Sequence, residues 1–222
     1  MYRENHFKLK YLFFIISIAI FIYFAINVYL KKSIAIDNIF NNLLLNDTLT
    51  NLMVIVTEFG SASFLIIITL VFGFFLKDKR ISILILCNLL CSFLLNQLFK
   101  IIFLRPRPLN IHLLKESSYS FPSGHSMIGL AFYGFLIYLA NKKIKNKYLR
   151  ISIELFLGLL ILSIGFSRIY LRVHYPSDVI AGFSISFAYL ILYISFIKKY
   201  FKEDLWKSTI YYIAFIMHLE EL

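Results

Sequence analysis

Six apolar runs, each close to the length a helix needs to cross a bilayer, take up most of this 222-residue chain. They cover about 11 to 30, 51 to 76, 81 to 104, 126 to 140, 151 to 170 and 178 to 198. A membrane-spanning helix requires about 20 mainly apolar residues for a hydrocarbon core of ~30 Å. The fourth run is short unless it reaches back to Ser123. A hydrophobic share of 60% also exceeds the ~45–50% of ordinary soluble domains. The expected fold is all-α: one polytopic membrane domain over residues 1–222, with six transmembrane helices in one bundle and no repeat, linker or second domain.

The first run follows Arg3, Lys8 and Lys10, as a secretory signal would, but it has the full length of a span, ends at Lys31-Lys32 and shows no small-x-small cleavage site, so a retained helix is expected. Basic residues set the orientation. Fifteen of the 23 Lys and Arg flank alternate ends of the runs: Arg3, Lys8 and Lys10; Lys77, Lys79 and Arg80; Lys142, Lys143, Lys145, Lys147 and Arg150; Lys198, Lys199, Lys202 and Lys207. The positive-inside rule makes that side cytoplasmic and leaves both termini inside, including a tail from about 201 to 222. The net charge of +11 is then accounted for by loops facing anionic headgroups, so the bilayer and not nucleic acid is the expected partner. The sequence carries no signal of oligomeric state.

Cys87 and Cys91 share a face of the third run and read as small apolar residues, with no disulfide or metal geometry. The stretch from Ser33 to Thr50 mixes isoleucines and leucines with Asp37 and asparagines, and is open between an interfacial helix and a connecting loop.

The chemistry-bearing residues lie in three segments at the outer ends of runs. In the third run Asn88, Ser92, Asn96 and Lys100 recur every fourth residue, a polar stripe that should face the bundle interior and lead to Lys100. Arg105-Pro106-Arg107-Pro108 then stops the helix, because proline lacks an N–H and disfavours helix in the residue before it. The second segment, Pro122-Ser123-Gly124-His125, opens the fourth run. Ser123 is placed as an N-cap, Gly124 permits close backbone approach, and the helix N-terminus favours phosphate. The third holds Ser167-Arg168, His174 and Asp178. A carboxylate near one imidazole nitrogen fixes the tautomer and leaves the other nitrogen free to attack. Each segment alone has an ordinary reading: snorkelling cations, a capped helix with an incidental histidine, an interfacial histidine beside a capping aspartate.

The joint order and spacing, over residues 100 to 178, resembles the three-part signature of the type 2 phosphatidic acid phosphatase superfamily, the lipid phosphate phosphatases, with no departure at a signature position. The resemblance implies a hydrolase that removes phosphate from a membrane lipid phosphate or diphosphate through a phosphohistidine. Undecaprenyl diphosphate and phosphatidylglycerophosphate or phosphatidate are the leading substrates. His174 would be the nucleophile, Asp178 its orienting partner, and His125 the general acid. Lys100, Arg107 and Arg168, with Ser123 and Gly124, would hold the phosphate. The scheme requires no metal and no cofactor. Small size and an Ile/Lys/Asn-rich composition suggest a bacterial plasma membrane, with the active site extracytoplasmic.

Arg105, Arg172 and Lys115 are further outer cations, read as selecting a more anionic headgroup such as a diphosphate. Two readings from other classes share parts of the pattern. A vanadate-dependent haloperoxidase would carry the anion site but is expected to be soluble, and a lipid or phosphate transporter would not require two histidines and an aspartate on one side. Glu58 and Glu154 read as packing, pairing or snorkelling acids, and His6, His112 and His218 match no part of the signature.

Overall fold

The structure, a computed structural model, describes residues 2–39, 46–108, 114 and 116–200, with side chains from Lys8 onward except that of Ile39. Lys115, His112, His218, the side chain of His6 and the tail from 201 to 222 lie outside the described residues. Every regular element among the described residues is helical. They run α1 (Tyr2–Tyr29), α2 (Ala35–Ile39), α3 (Asp47–Glu58), α4 (Ala62–Phe75), α5 (Lys79–Phe103), α6 (Gly124–Lys143), α7 (Lys147–Tyr170) and α8 (Pro176–Tyr200). Four of them, α1 from Lys8, α5, α7 and α8, are long and apolar enough to cross a membrane, and the bent pair α3 and α4 makes a fifth if counted as one span. At ~1.5 Å per residue, the 25-residue α5 reaches about 37 Å, enough for the hydrocarbon core with a margin at each end.

The second apolar run differs from expectation. Instead of one helix over 51 to 76, the chain breaks at Phe59–Ser61 and turns by 47° between α3 and α4. Ser61 takes the N-cap position of α4 and accepts the Phe64 N–H at 3.3 Å. Gly60 forms the corner where other elements come closest: a Cβ there would lie 2.7 Å from Ile164 Cγ2 and 3.1 Å from His125 Cδ2. The break thus brings backbone against a histidine that a continuous helix would keep at side-chain distance.

α6 is not among the helices that pass as spans on their own, and its surroundings give the reason. It packs against α5, α7 and α8, and most of its residues from Ser126 to Phe135 are buried. A helix shielded by others need not be lipophilic all round. By contrast α1 lies chiefly along α8 and leaves Ile15, Ile22, Tyr23 and Ile26 exposed.

The α5 stripe faces inward as expected, with Asn88, Ser92, Asn96 and Lys100 all buried. Asn88 donates to the Ala131 carbonyl at 2.8 Å and Asn96 to the Pro122 carbonyl at 3.2 Å, so polar groups tie α5 to α6 and to the segment before it. Cys87 and Cys91 are free and exposed beside that stripe. The stretch from Ser33 to Thr50 contains the single turn α2, packed on α8, and the start of α3.

At one end of the bundle the C-termini of α5 and α7 meet the N-termini of α6 and α8, while Lys79, Lys142, Lys143, Lys198 and Lys199 fall at the opposite helix ends. Gly182 secures the junction of α8 with α6, because a Cβ there would sit 3.0 Å from the Ser123 carbonyl oxygen and 3.4 Å from the Met127 nitrogen, both main-chain atoms with little room to yield. Gly182→Ala is therefore expected to cost about 1–3 kcal/mol in detergent unfolding. Gly73→Ala, at a position with nothing within 4 Å, is the control. Equal stability of the two variants would contradict this packing.

Candidate functional site

α5 ends at Phe103, and Leu104 caps it in the left-handed region (φ 46°, ψ 31°), with its N–H bonded to the Lys100 carbonyl at 3.0 Å. For a leucine that conformation costs roughly 1–2 kcal/mol. It turns the chain sharply into Arg105-Pro106-Arg107-Pro108. Arg107 is then fixed by main-chain acceptors, its Nε donating to the Ser118 carbonyl and its Nη1 to the Val173 carbonyl, each at 2.7 Å. The segment after α7 delivers His174, which is buried. Pro176 opens α8, and Asp178, the third residue of that helix, reaches back to accept the Tyr175 N–H at 3.0 Å. Asp178 thus caps its helix as the ordinary reading holds, and faces His174 as well.

The geometry around His174 gives its two ring nitrogens different tasks. Nδ1 lies 3.4 Å from Asp178 Oδ2 and 3.4 Å from Ser120 Oγ. Nε2 lies 3.3 Å from Arg107 Nη1. A guanidinium only donates, so this contact requires a lone pair on Nε2 and assigns the proton to Nδ1, toward Asp178. Burial holds the imidazole well below its ordinary pKa, and the charges of Arg168, Arg107 and Lys100 push it lower still. A neutral ring whose Nε2 lone pair faces cations can attack an electrophile that carries negative charge once Arg107 turns its donor to that electrophile.

On the Nε2 side the cations gather around one carboxylate. Glu116 bridges them, Oε1 accepting from Arg168 Nη2 and Oε2 from Arg107 Nη2 at 3.3 Å. Arg168 also donates to Thr57 Oγ1 at 2.7 Å, and its Nε is buried without an acceptor. Lys100 Nζ donates to Ser118 Oγ at 2.8 Å. The carboxylate stands where a second anion with two adjacent oxygens would be held by the same donors.

All eight expected residues lie at this end of the bundle. Arg107 and Arg168 hold the Glu116 carboxylate, Lys100 reaches Ser118 beside Arg107, His174 meets Arg107, and Asp178 stands behind His174. The Ser123 N–H bonds to the Asp178 main-chain carbonyl at 3.1 Å, and Gly124 lies against Asn96. His125 is within the electrostatic reach of Arg168, His174, Lys100 and Arg107. One detail is corrected: Ser123 occupies the N-cap position, but its hydroxyl makes no capping bond and accepts from Ser126 Oγ at 3.0 Å instead. Arg105 is also corrected, since it does not join the other cations and its guanidinium bonds Asp178, Asp37 and Ser177 on the Nδ1 side. Glu58 is exposed at the end of α3, and Glu154 pairs with Asn141 and Arg150 at the other end of the bundle. Among the described residues, no three or more His, Cys, Asp or Glu side chains gather as a metal site.

The sequence profile of the PAP2 superfamily matches residues 79–202, more than half of the chain. The chain belongs to the PAP2 superfamily. This PAP2 protein is 32% identical over 160 residues to phosphatidylglycerophosphatase B of Bacillus subtilis (strain 168), covering 70% of this chain and 76% of the relative. It is 30% identical over 141 residues to the undecaprenyl-diphosphatase of Sulfolobus acidocaldarius, 61% of this chain and 64% of that one. The crystal structure of a transmembrane PAP2 type phosphatidylglycerolphosphate phosphatase from Bacillus subtilis superimposes with a TM-score of 0.74 at 29% identity, over 84% of this chain and 98% of that one.

Sequence reasoning missed Glu116, Ser118, Ser120 and Thr57. One signal was present for the first: between Lys100 and His125 the chain carries a single acid, and it is Glu116, while three cations drawn out of water require an anion nearby. A phosphate held by the same donors would displace this carboxylate. Glu116→Gln is expected to strengthen binding of inorganic phosphate by about three- to tenfold, read as increased protection against thermal unfolding. Unchanged or weaker protection would show that Glu116 does not compete for the site.

Proposed function

We propose that this PAP2 protein is a bacterial lipid-phosphate phosphatase that works through a phosphohistidine on His174. The observation that carries the reading is the division of labour around that ring: Nδ1 facing Asp178, and Nε2 facing Arg107 beside the carboxylate bridge of Arg107 and Arg168. In the first step Nε2 attacks phosphorus, the bond from phosphorus to the leaving oxygen breaks, and His125 supplies the proton that oxygen needs. In the second step His125 takes a proton from water, whose oxygen attacks the phosphohistidine and releases phosphate, restoring the imidazole. Lys100, Arg107 and Arg168 stabilise the charge on the transferring oxygens, with the main chain at Ser123 and Gly124 beside them.

A hydrocarbon-bearing leaving group finds suitable surroundings. An apolar cavity of about 260 Å³ lies between α4 and α5, lined among others by Gly60, Ile66, Leu86, Phe93 and Ile128. Its upper wall includes Gly60, the corner packed against His125, so the lipid tail and the proton donor for its oxygen fall on the same side. This favours a lipid substrate over the inorganic vanadate chemistry of a haloperoxidase. The relatives' names favour two substrates alike, phosphatidylglycerophosphate and undecaprenyl diphosphate.

The membrane arrangement in this reading is a bundle of six spans, formed by α1, the pair α3 and α4, and α5 to α8. Both termini are cytoplasmic and the site opens on the extracytoplasmic side. The basic residues at the helix ends opposite the site support that orientation. Phosphate release in detergent with EDTA, on undecaprenyl diphosphate, phosphatidylglycerophosphate and phosphatidate, is expected to persist in the wild type. His174→Ala is expected to reduce it by about a thousandfold or more. Folded wild-type protein that releases no phosphate from any of the three would leave a transport or binding role instead.

A further inference from the structure

Arg105 and Asp37 match no position of the signature, yet both are drawn into the interior behind the candidate nucleophile. Arg105 Nη1 bonds Asp178 Oδ1 and Ser177 Oγ, the latter at 2.7 Å, while Nη2 bonds Asp37 Oδ2 at 2.7 Å. The guanidinium lies 4.0 Å from the centroid of the Tyr175 ring. Asp37, on the single turn α2, also accepts the Ser177 N–H at 2.9 Å and the Ser177 hydroxyl at 2.8 Å. Asp37, Arg105, Asp178 and His174 therefore form a row in which carboxylate, guanidinium, carboxylate and imidazole alternate.

The two oxygens of Asp178 are not equivalent. Oδ2 faces His174 Nδ1 and is held by the Ser120 hydroxyl and the Tyr175 N–H. Oδ1 is held by Arg105. Without that bond the carboxylate would pivot about its Cβ–Cγ bond, and Oδ2 would leave the ring it orients. The side chains of Arg105, Asp37 and Asp178 are 14%, 8% and 0% exposed, so solvent replaces a lost partner poorly, least of all at Asp178. Burial alone lowers the Arg105 pKa, but Asp178 and Asp37 outweigh it and hold the guanidinium above its ordinary value. Its bonds to Ser177, Asp178 and Asp37 all lie on the Nδ1 side, away from the Glu116 carboxylate.

We propose that Arg105 and Asp37 are positioning residues for the phosphoryl-transfer step, Arg105 fixing the Asp178 carboxylate that aligns His174 and Asp37 fixing Arg105. The inference rests on the phosphatase reading above. It places Arg105 outside substrate recognition and gives Asp37 a role exerted chiefly through Arg105, its bonds to Ser177 anchoring α2 to the start of α8.

Steady-state kinetics on full-length protein in detergent, with phosphatidylglycerophosphate as substrate, tests this. Thermal protection by inorganic phosphate is measured in parallel. R105Q is expected to lower kcat by about a hundredfold and D37N by about tenfold, the range that loss of an orienting partner produces at other sites. KM and phosphate protection should stay within about twofold. The double variant should be no slower than R105Q alone, because residues that act through one another are not additive. R105K should recover part of the loss, keeping the charge but not the fork of donors.

A rise in KM with unchanged kcat, or lost phosphate protection in R105Q, would make Arg105 a headgroup cation and overturn the proposal. Additive losses would overturn the linkage of Asp37 to Arg105, as would kcat values equal to wild type. If R105Q does not fold, D37N decides alone by the same split between kcat and KM. A wild type that releases no phosphate would count against the phosphatase reading itself, a result distinct from a working wild type matched by its variants.

Discussion

The fully buried carboxylate of Asp178 is the group on which the arrangement of this helix end depends. Its side chain binds Arg105 after α5, Ser120 before α6, the Tyr175 N–H before α8 and, more loosely, His174. Its main-chain carbonyl receives the Ser123 N–H at the entrance to α6. One residue thus joins the segments that follow α5 and α7 to those that precede α6 and α8. A buried anion is tolerable only when fully partnered, and removing one partner of a buried ion pair typically costs about 3–5 kcal/mol. The same requirement that makes this site expensive makes its geometry narrow, which is what a nucleophile needs.

Charge balance explains the rest of the site. Lys100, Arg107 and Arg168 converge in a space mostly closed to water, where their mutual repulsion is little screened. Glu116 offsets part of it by bridging the two arginines, and the remaining positive charge favours an incoming phosphate. The same cations act with burial to keep His174 neutral. In the proposed mechanism the cations that would bind the substrate therefore also prepare the nucleophile, and the helix break at Gly60 would bring apolar space to the leaving-group side.

Much of this was legible in the sequence, for physical reasons. Apolar runs of bilayer length have few folded outcomes, and the fourfold spacing of Asn88, Ser92, Asn96 and Lys100 marks an inward helix face without further information. The break between α3 and α4 was not legible, because Gly60 and Ser61 sit inside a run whose length and composition fit one span, and only contact with His125 and Ile164 shows why the chain turns there. Arg105 and Arg107 stand two residues apart in a proline-locked stretch and read alike. Their partners, Asp37 and Asp178 for one and Glu116, Ser118 and Val173 for the other, come from different segments, so the face of His174 each arginine serves is decided only in three dimensions.

The central claim is that Nε2 of His174 carries the phosphoryl group. Mixing the protein with lipid substrate radiolabelled at the transferred phosphate, quenching in alkali within the first turnover and mapping the labelled peptide tests it directly. The account predicts an alkali-stable, acid-labile label on His174 that is absent from His174→Ala. Label on another residue, or turnover with no labelled protein at any quench time, would contradict it.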